Sequence, residues 1–334
     1  MNQISHTLEQ DIYPVLAPRL VAIMCLLPKS IKNELTEIRL RINQPVILVF
    51  SNTDIMVTSD GQIASEAKQA YICSQEDLAR TLHSISRNSL YAFEQELKLG
   101  YITIHGGHRV GLAGQVLVEG REIKAIKNIS SLNIRIARQI KGCADKIMPY
   151  ILATDRLVMS TLIIAPPRCG KTTILRDIVY QLSGGHALHN YHGIQVGVVD
   201  ERSEIAACRN GIPTVDLGPR VDVLDCCPKA DGILMLIRSM APRVVVTDEL
   251  GRSEDVLALK EALNAGIGVI ASIHGGNEKE ILHRPYIGEL IQNKYFDRYV
   301  ILGDRPQIGT IEDIIAVKTN ELLYSRKKGV KICG

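Results

Sequence analysis

The sequence predicts an α/β protein in two parts, with residues 1–145 as a smaller α+β domain and residues 146–334 as a domain built on a mainly parallel sheet. Five apolar runs in the second part, Thr161–Ala165, Ile194–Asp200, Arg243–Asp248, Gly268–Ile273 and Arg298–Leu302, read as strands, with helical patterns between most of them. Strands that are apolar on both faces and alternate with helices belong to parallel sheets covered on both sides. The first part has a different texture. Thr36–Ile42 alternates strictly, and Pro45–Phe50 follows an Asn-Gln turn, the pattern of a hairpin.

In chain order, residues 9–35 form one or two short helices interrupted near Pro18 and Pro28. Ser74-Gln-Glu-Asp77 supplies a cap and early acids for a helix to about Ile85, and a further helix is expected over Leu90–Leu99. Tyr101–His105, Arg109–Leu117 and Ile134–Ala137 read as strands separated by glycine-rich turns, and the junction falls between Gly142 and Pro149.

Of the 334 residues, 46% are apolar and 22% charged, which describes a globular protein with a sizeable core. No Trp and three Phe leave few stacking platforms for single-stranded nucleic acid, so none is expected as a partner. The net charge is only +3, but Arg121, Lys124, Lys127, Arg135, Arg138, Lys141 and Lys146 form a basic stripe against Glu122 and Asp145 alone. Such a stripe is a solvated face or meets phosphate, lipid headgroups or an acidic neighbour. The eight Cys contain no C-x-x-C pair and read as the reduced thiols of a cytosolic protein, with Cys226-Cys227 a buried thiol pair or a metal half-site. No secretory leader is expected, and Leu20–Leu27, the longest early apolar run, is too short to span a bilayer, so any membrane role is peripheral.

The second part turns on Thr161–Thr173, where an apolar run stops at a turn and reopens as Gly170-Lys171-Thr172. Ile174, Leu175, Ile178, Val179 and Leu182 then share one helical face. Strand, turn and amphipathic helix in that order make a phosphate-binding loop, formed by Ala165, Pro166, Pro167, Arg168, Cys169, Gly170, Lys171, Thr172 and Thr173. Lys171 would reach the β/γ-phosphates and Thr172 would ligate Mg²⁺, so the expected ligand is ATP with Mg²⁺. The general pattern has Gly where Ala165 stands. A positive φ there would cost Ala about 1 kcal/mol, and a negative φ would cost little. Pro166 and Pro167 lack N–H donors, so the cradle relies on amides from about 168 onward.

Pro242–Leu250 is a second apolar strand ending in acids. Asp248 would hold the metal, and Glu249 would orient and deprotonate the attacking water. Gly197–Glu204 ends likewise in Asp200, a further metal candidate, and Glu201, placed with the catalytic acids; ligands bind outside the carboxyl ends of parallel strands. Ser272 and His274 end a third strand, where a histidine can sense the γ-phosphate. Arg209, Arg220, Arg238, Arg109 and Arg135 are the candidates for an arginine finger.

Val199–Ala207, Gly218–Leu224, Lys229–Pro242 and Thr247–Gly251, with Glu37–Arg41 and Gly107–Gly111 in the first part, resemble the stage III sporulation AA family of endospore-forming bacteria. The resemblance covers nearly the whole chain. That family is similar to the traffic ATPases of type II and type IV secretion and of pilus motors, which form hexameric rings with nucleotide between subunits. The resemblance implies a RecA-like P-loop ATPase, assembled as a homo-hexamer with membrane proteins of the same sporulation channel. It would work in the cytoplasm at the mother-cell membrane. By motif, Gly170, Lys171 and Thr172 carry over as the Walker A loop, Asp200 and Glu201 as the acidic box, Asp248 and Glu249 as the metal and base acids, and His274 as the histidine box. Ala165 and Arg168 depart from the loop pattern. Two other readings stand beside the motor: a nucleotide-gated scaffold with little hydrolysis, and a nucleic-acid-dependent ATPase.

Overall fold

The computed structural model describes residues 8–50, 53–86, 100–120, 122–137, 139–154, 157–186, 191–208 and 210–326. It divides into two compact units, Met1–Arg138 and Gln139–Gly334. Residues around Gly142 go with the second unit because Ala144 and Ile147 are fully buried in its core. There the Asp177 carboxylate accepts the N–H groups of Gly142 at 3.0 Å and Ala144 at 2.8 Å.

The first unit is a seven-stranded antiparallel sheet in the order β4-β3-β2-β1-β7-β6-β5. Its strands are β1 (Glu37–Arg41), β2 (Ile47–Val49), β3 (Asp54–Val57), β4 (Ile63–Ala64), β5 (Tyr101–Ile104), β6 (His108–Glu119) and β7 (Glu122–Arg135). The alternation of β1 puts Ile38 and Leu40 in the core and leaves Glu37, Arg39 and Arg41 half-buried. Two helices, Pro18–Leu26 and Lys29–Glu34, cover residues read as interrupted near Pro18 and Pro28; Pro18 opens the first and Pro28 caps the second. Helix Gln75–Ser86 starts on a reciprocal cap, the Ser74 hydroxyl accepting the Asp77 N–H at 3.1 Å and the Asp77 carboxylate the Ser74 N–H at 3.0 Å. The expected helix at Leu90–Leu99 lies outside the described residues. β7 is far longer than the strand expected at Ile134–Ala137, because it pairs with β6 out to Glu119↔Glu122. Lys124, Lys127 and Asn128 interrupt its alternation and hid it in the sequence.

The second unit centres on an eight-stranded sheet in the order β14-β13-β15-β16-β10-β17-β18-β19. Beside it are two short ribbons, β8 (Leu152–Thr154) with β9 (Leu157–Val158) and β11 (Gly185–His186) with β12 (Tyr191–His192). The main strands are β10 (Thr161–Ala165), β13 (Val196–Asp200), β14 (Val221–Asp225), β15 (Val244–Glu249), β16 (Gly268–His274), β17 (Arg298–Gly303), β18 (Thr310–Ala316) and β19 (Glu321–Ser325). From β14 to β17 every neighbour is parallel, and β18 and β19 return antiparallel.

Every residue of β10 is buried, as a central strand requires. Ile163 and Ala165 join one core with Ile174, Leu175 and Ile178 of helix Lys171–Gly184. Leu162 and Ile164 join the other with Ile233 and Leu236 of helix Lys229–Ser239 and Val256 and Leu259 of helix Ser253–Asn264. Each such fully buried aliphatic side chain contributes about 2 kcal/mol. The parallel order β13-β15-β16-β10 sets the carboxyl ends of four strands along one edge. Among the described residues no helix is long and apolar enough to cross a membrane.

Candidate functional site

Ala165 ends β10 without a positive φ, so its departure from Gly costs little. Positive φ falls instead at Arg168 (63°) and Gly170 (79°). At Gly170 the left-handed conformation caps helix Lys171–Gly184, and a Cβ there would stand 3.3 Å from Ile308 Cγ2 and 3.4 Å from the Gly309 backbone. Pro166, Pro167 and Arg168 are exposed and Cys169 is buried. The first amides of the helix, Lys171 to Thr173, have no carbonyl one turn earlier within it, which leaves their N–H groups as donors at the positive end of the helix.

The Lys171 side chain is folded back over this turn. Its ammonium donates to the carbonyls of Ala165 and Pro166, each at 3.1 Å, and to His274 Nδ1 at 2.7 Å. Burial pulls the Lys171 ammonium below its usual range, against the raising influence of Glu249. His274 Nε2 is 3.0 Å from Glu249 Oε2, and Arg202 Nη1 is 4.0 Å from the same oxygen. The β10–β16 register sets His274 opposite Ala165 and so explains why His274 reaches the loop.

The other two acids meet on Lys229, a residue not among the expected site positions. Pro228 caps the helix that Lys229 opens, and the Lys229 ammonium, 5% exposed, donates to Glu201 and lies 3.0 Å from Asp248 Oδ1. Burial acts to lower this ammonium, but Asp248 and Glu201 outweigh it and raise it above the usual lysine range. Burial likewise acts to raise the Glu201 carboxyl, but Lys229, Arg252 and Arg202 bring it below the usual range. At Asp248 burial prevails over Lys229 and the carboxyl is raised. A lysine beside proline at a helix start looks solvated in sequence; only the topology brings it to two strand ends. In the sequence it stands out only as the first residue of Lys229–Pro242, one of the runs that carry the family resemblance.

Asp200 is placed differently from its neighbours. It is fully buried, and its carboxylate accepts the N–H groups of Glu204 (2.7 Å), Ile205 (2.9 Å) and Ala206 (2.8 Å). Both oxygens therefore hold the turn after β13, whereas the expectation made Asp200 a metal ligand. Burial pushes its carboxyl up to about 6. Of the finger candidates, Arg220 donates to the Ser183 carbonyl at 2.8 Å, at the far end of the loop helix, about 18 Å of helical rise from Lys171. Arg238 is exposed in the last turn of its helix, and Arg209 lies outside the described residues. In the first unit, Arg109 stacks on Tyr101 and Arg135 Nε lies 3.7 Å from Glu37.

The basic stripe is divided between the units. Lys124, Lys127 and Arg135 lie on β7, Lys141 and Lys146 belong to the second unit, and Arg121 and Arg138 lie outside the described residues. Lys124 pairs with Glu119, and Lys141 with Asp216 at 2.6 Å. The seven described cysteines are free, and among the described residues no cluster of three or more His, Cys, Asp or Glu is gathered for a metal.

The family model described as Sporulation stage III, protein AA matches residues 6–322. The chain belongs to the stage III sporulation protein AA family. A relative from Bacillus subtilis (strain 168), Stage III sporulation protein AA, is 44% identical over 318 residues, covering 92% of this chain and 98% of that one. Among solved structures, the pilus retraction motor PilT with bound ADP aligns with a TM-score of 0.53 at 15% identity, over 87% of this chain and 80% of that one. The Legionella pneumophila ATPase DotB aligns with a TM-score of 0.51 at 16% identity, over 81% and 72% of the two chains. At these identities the likeness is one of fold. This stage III AA protein has the RecA-like α/β architecture of the secretion ATPases, as the sequence predicts.

Proposed function

We propose that this stage III AA protein is an ATP-hydrolysing motor of the traffic-ATPase type that energises a channel between mother cell and forespore. One observation carries the reading: Lys171, His274, Glu249, Asp248, Lys229 and Glu201 converge on the carboxyl edge of four adjacent parallel strands, directly beside a helix start able to bind anions. The donor set fits the ligand. Gly170 supplies the positive φ at which the loop turns into the helix, and a Cβ there would press on residues 308 and 309; the hydroxyl and carboxylate oxygens of Thr172 and Asp248 suit a hard cation. Mg²⁺ typically takes one or two carboxylates and the substrate phosphates. When bound, it would neutralise charge on the phosphate oxygens.

The protein's own groups do the rest. Lys171 and the first helical amides bind the phosphates. Lys229 fixes Glu201 and Asp248 against their mutual repulsion. Glu249 orients the attacking water and takes its proton. Within the chain Arg220 is tied to Ser183; in a homo-hexamer a neighbouring subunit would supply the finger, which couples turnover to subunit movement. Membrane proteins of the same channel would hold the ring at the mother-cell membrane, with no nucleic acid required. The test is Mg·ATP binding and turnover by wild type and Glu249→Gln. The variant should bind ATP and lose at least about a hundredfold in rate. A wild type that binds ATP but turns over no faster than the variant favours the nucleotide-gated scaffold.

A further inference from the structure

The Lys171 ammonium has three protons and three acceptors: the carbonyls of Ala165 and Pro166 and the His274 ring. An ammonium only donates, so His274 Nδ1 is bare; Nε2 carries the proton and donates it to Glu249 at 3.0 Å. The histidine thus ties the phosphate-loop lysine to the proposed base. A phosphate that engages Lys171 must take the place of one of the three acceptors. The two carbonyls belong to backbone, and that of Ala165 also accepts the Gly275 N–H at 3.2 Å. The His274 side chain is 35% exposed and is the acceptor free to turn away.

We infer that His274 is a positioning residue that latches Lys171 to Glu249 and lets both go when Lys171 engages a phosphate. The inference rests on the reading of Gly170–Thr172 as a phosphate site. Loading the loop breaks the Lys171–His274 bond, the ring turns, and Glu249 loses the donor that occupied it. Binding and latching compete, so removing the latch must tighten binding by the same coupling. A γ-phosphate sensor has the opposite signature, because its loss weakens ATP binding and leaves ADP unaffected.

Mg·ADP titrated calorimetrically into the full chain separates these. His274→Ala should bind it about three- to tenfold more tightly than wild type, the scale of a partly offset hydrogen bond to a charged group. His274→Gln, which reaches toward Glu249 without an acceptor at the Nδ1 position, should tighten binding similarly. His274→Asn, which keeps that acceptor, should stay near wild type. Unchanged or weaker binding by His274→Ala, with wild type binding normally, overturns the latch and leaves the nucleotide reading intact. If wild type binds Mg·ADP no better than Lys171→Ala, the phosphate site falls and the latch with it.

Discussion

Lys229 stands 3.0 Å from Asp248, and both side chains are more than nine-tenths buried. Removing one member of a buried ion pair strands the other, which costs about 3 to 5 kcal/mol. Lys229→Met leaves two carboxylates, Glu201 and Asp248, facing each other and should destabilise the full chain by about that amount. Lys229→Arg should recover part of it. The shift in the chemical-denaturation midpoint reads both.

Asp200 predicts a pH dependence of stability. Its carboxyl titrates at about 6 in the folded chain, against about 3.9 unfolded. The folded value is the higher, so the native state holds the proton more tightly. The stabilisation is complete below about pH 4 and is lost as pH rises through 6, a change on the order of 3 kcal/mol. The unfolding free-energy difference between wild type and Asp200→Asn should therefore fall from pH 4 to 7 and flatten above. A difference that grows with pH would show that the three backbone donors, and not burial, dominate.

The two small residues that bound the loop, Gly170 and Ala165, respond differently. Gly170→Ala meets both a φ of 79° and a Cβ contact of 3.3 Å, so it should cost about 1 to 2 kcal/mol and weaken Mg·ADP binding. Ala165→Gly, which restores the general pattern, should cost about 1 kcal/mol through strand flexibility without tightening binding. Calorimetry with thermal melts on the two variants separates the effects.

Much of this architecture was legible because it is written locally. The apolar run of Thr161–Ala165, the Gly-Lys-Thr turn and the spacing of Ile174 to Leu182 state strand, loop and helix within 22 residues. The acids ending β13 and β15 were legible for the same reason. What escaped depends on pairings distant in sequence. Lys229 meets Glu201 and Asp248 only because β13 and β15 are neighbours. Asp200 and Glu201 are adjacent in sequence, yet one caps a turn and the other enters the acidic cluster, a difference set by which way the chain leaves β13. β14, half-buried at all five positions, lacks the apolar signature of the central strands. β18 and β19 return antiparallel beyond the last expected strand.

The central claim, hydrolysis at a site shared between subunits, is tested most directly by steady-state ATP turnover of wild type and Glu249→Gln across protein concentration, with mass measured in parallel. The specific rate of wild type should rise as the protein assembles, while Glu249→Gln binds ATP, assembles equally and fails to turn over. A wild type that binds ATP and assembles, yet at no concentration exceeds the rate of the variant, would contradict the motor.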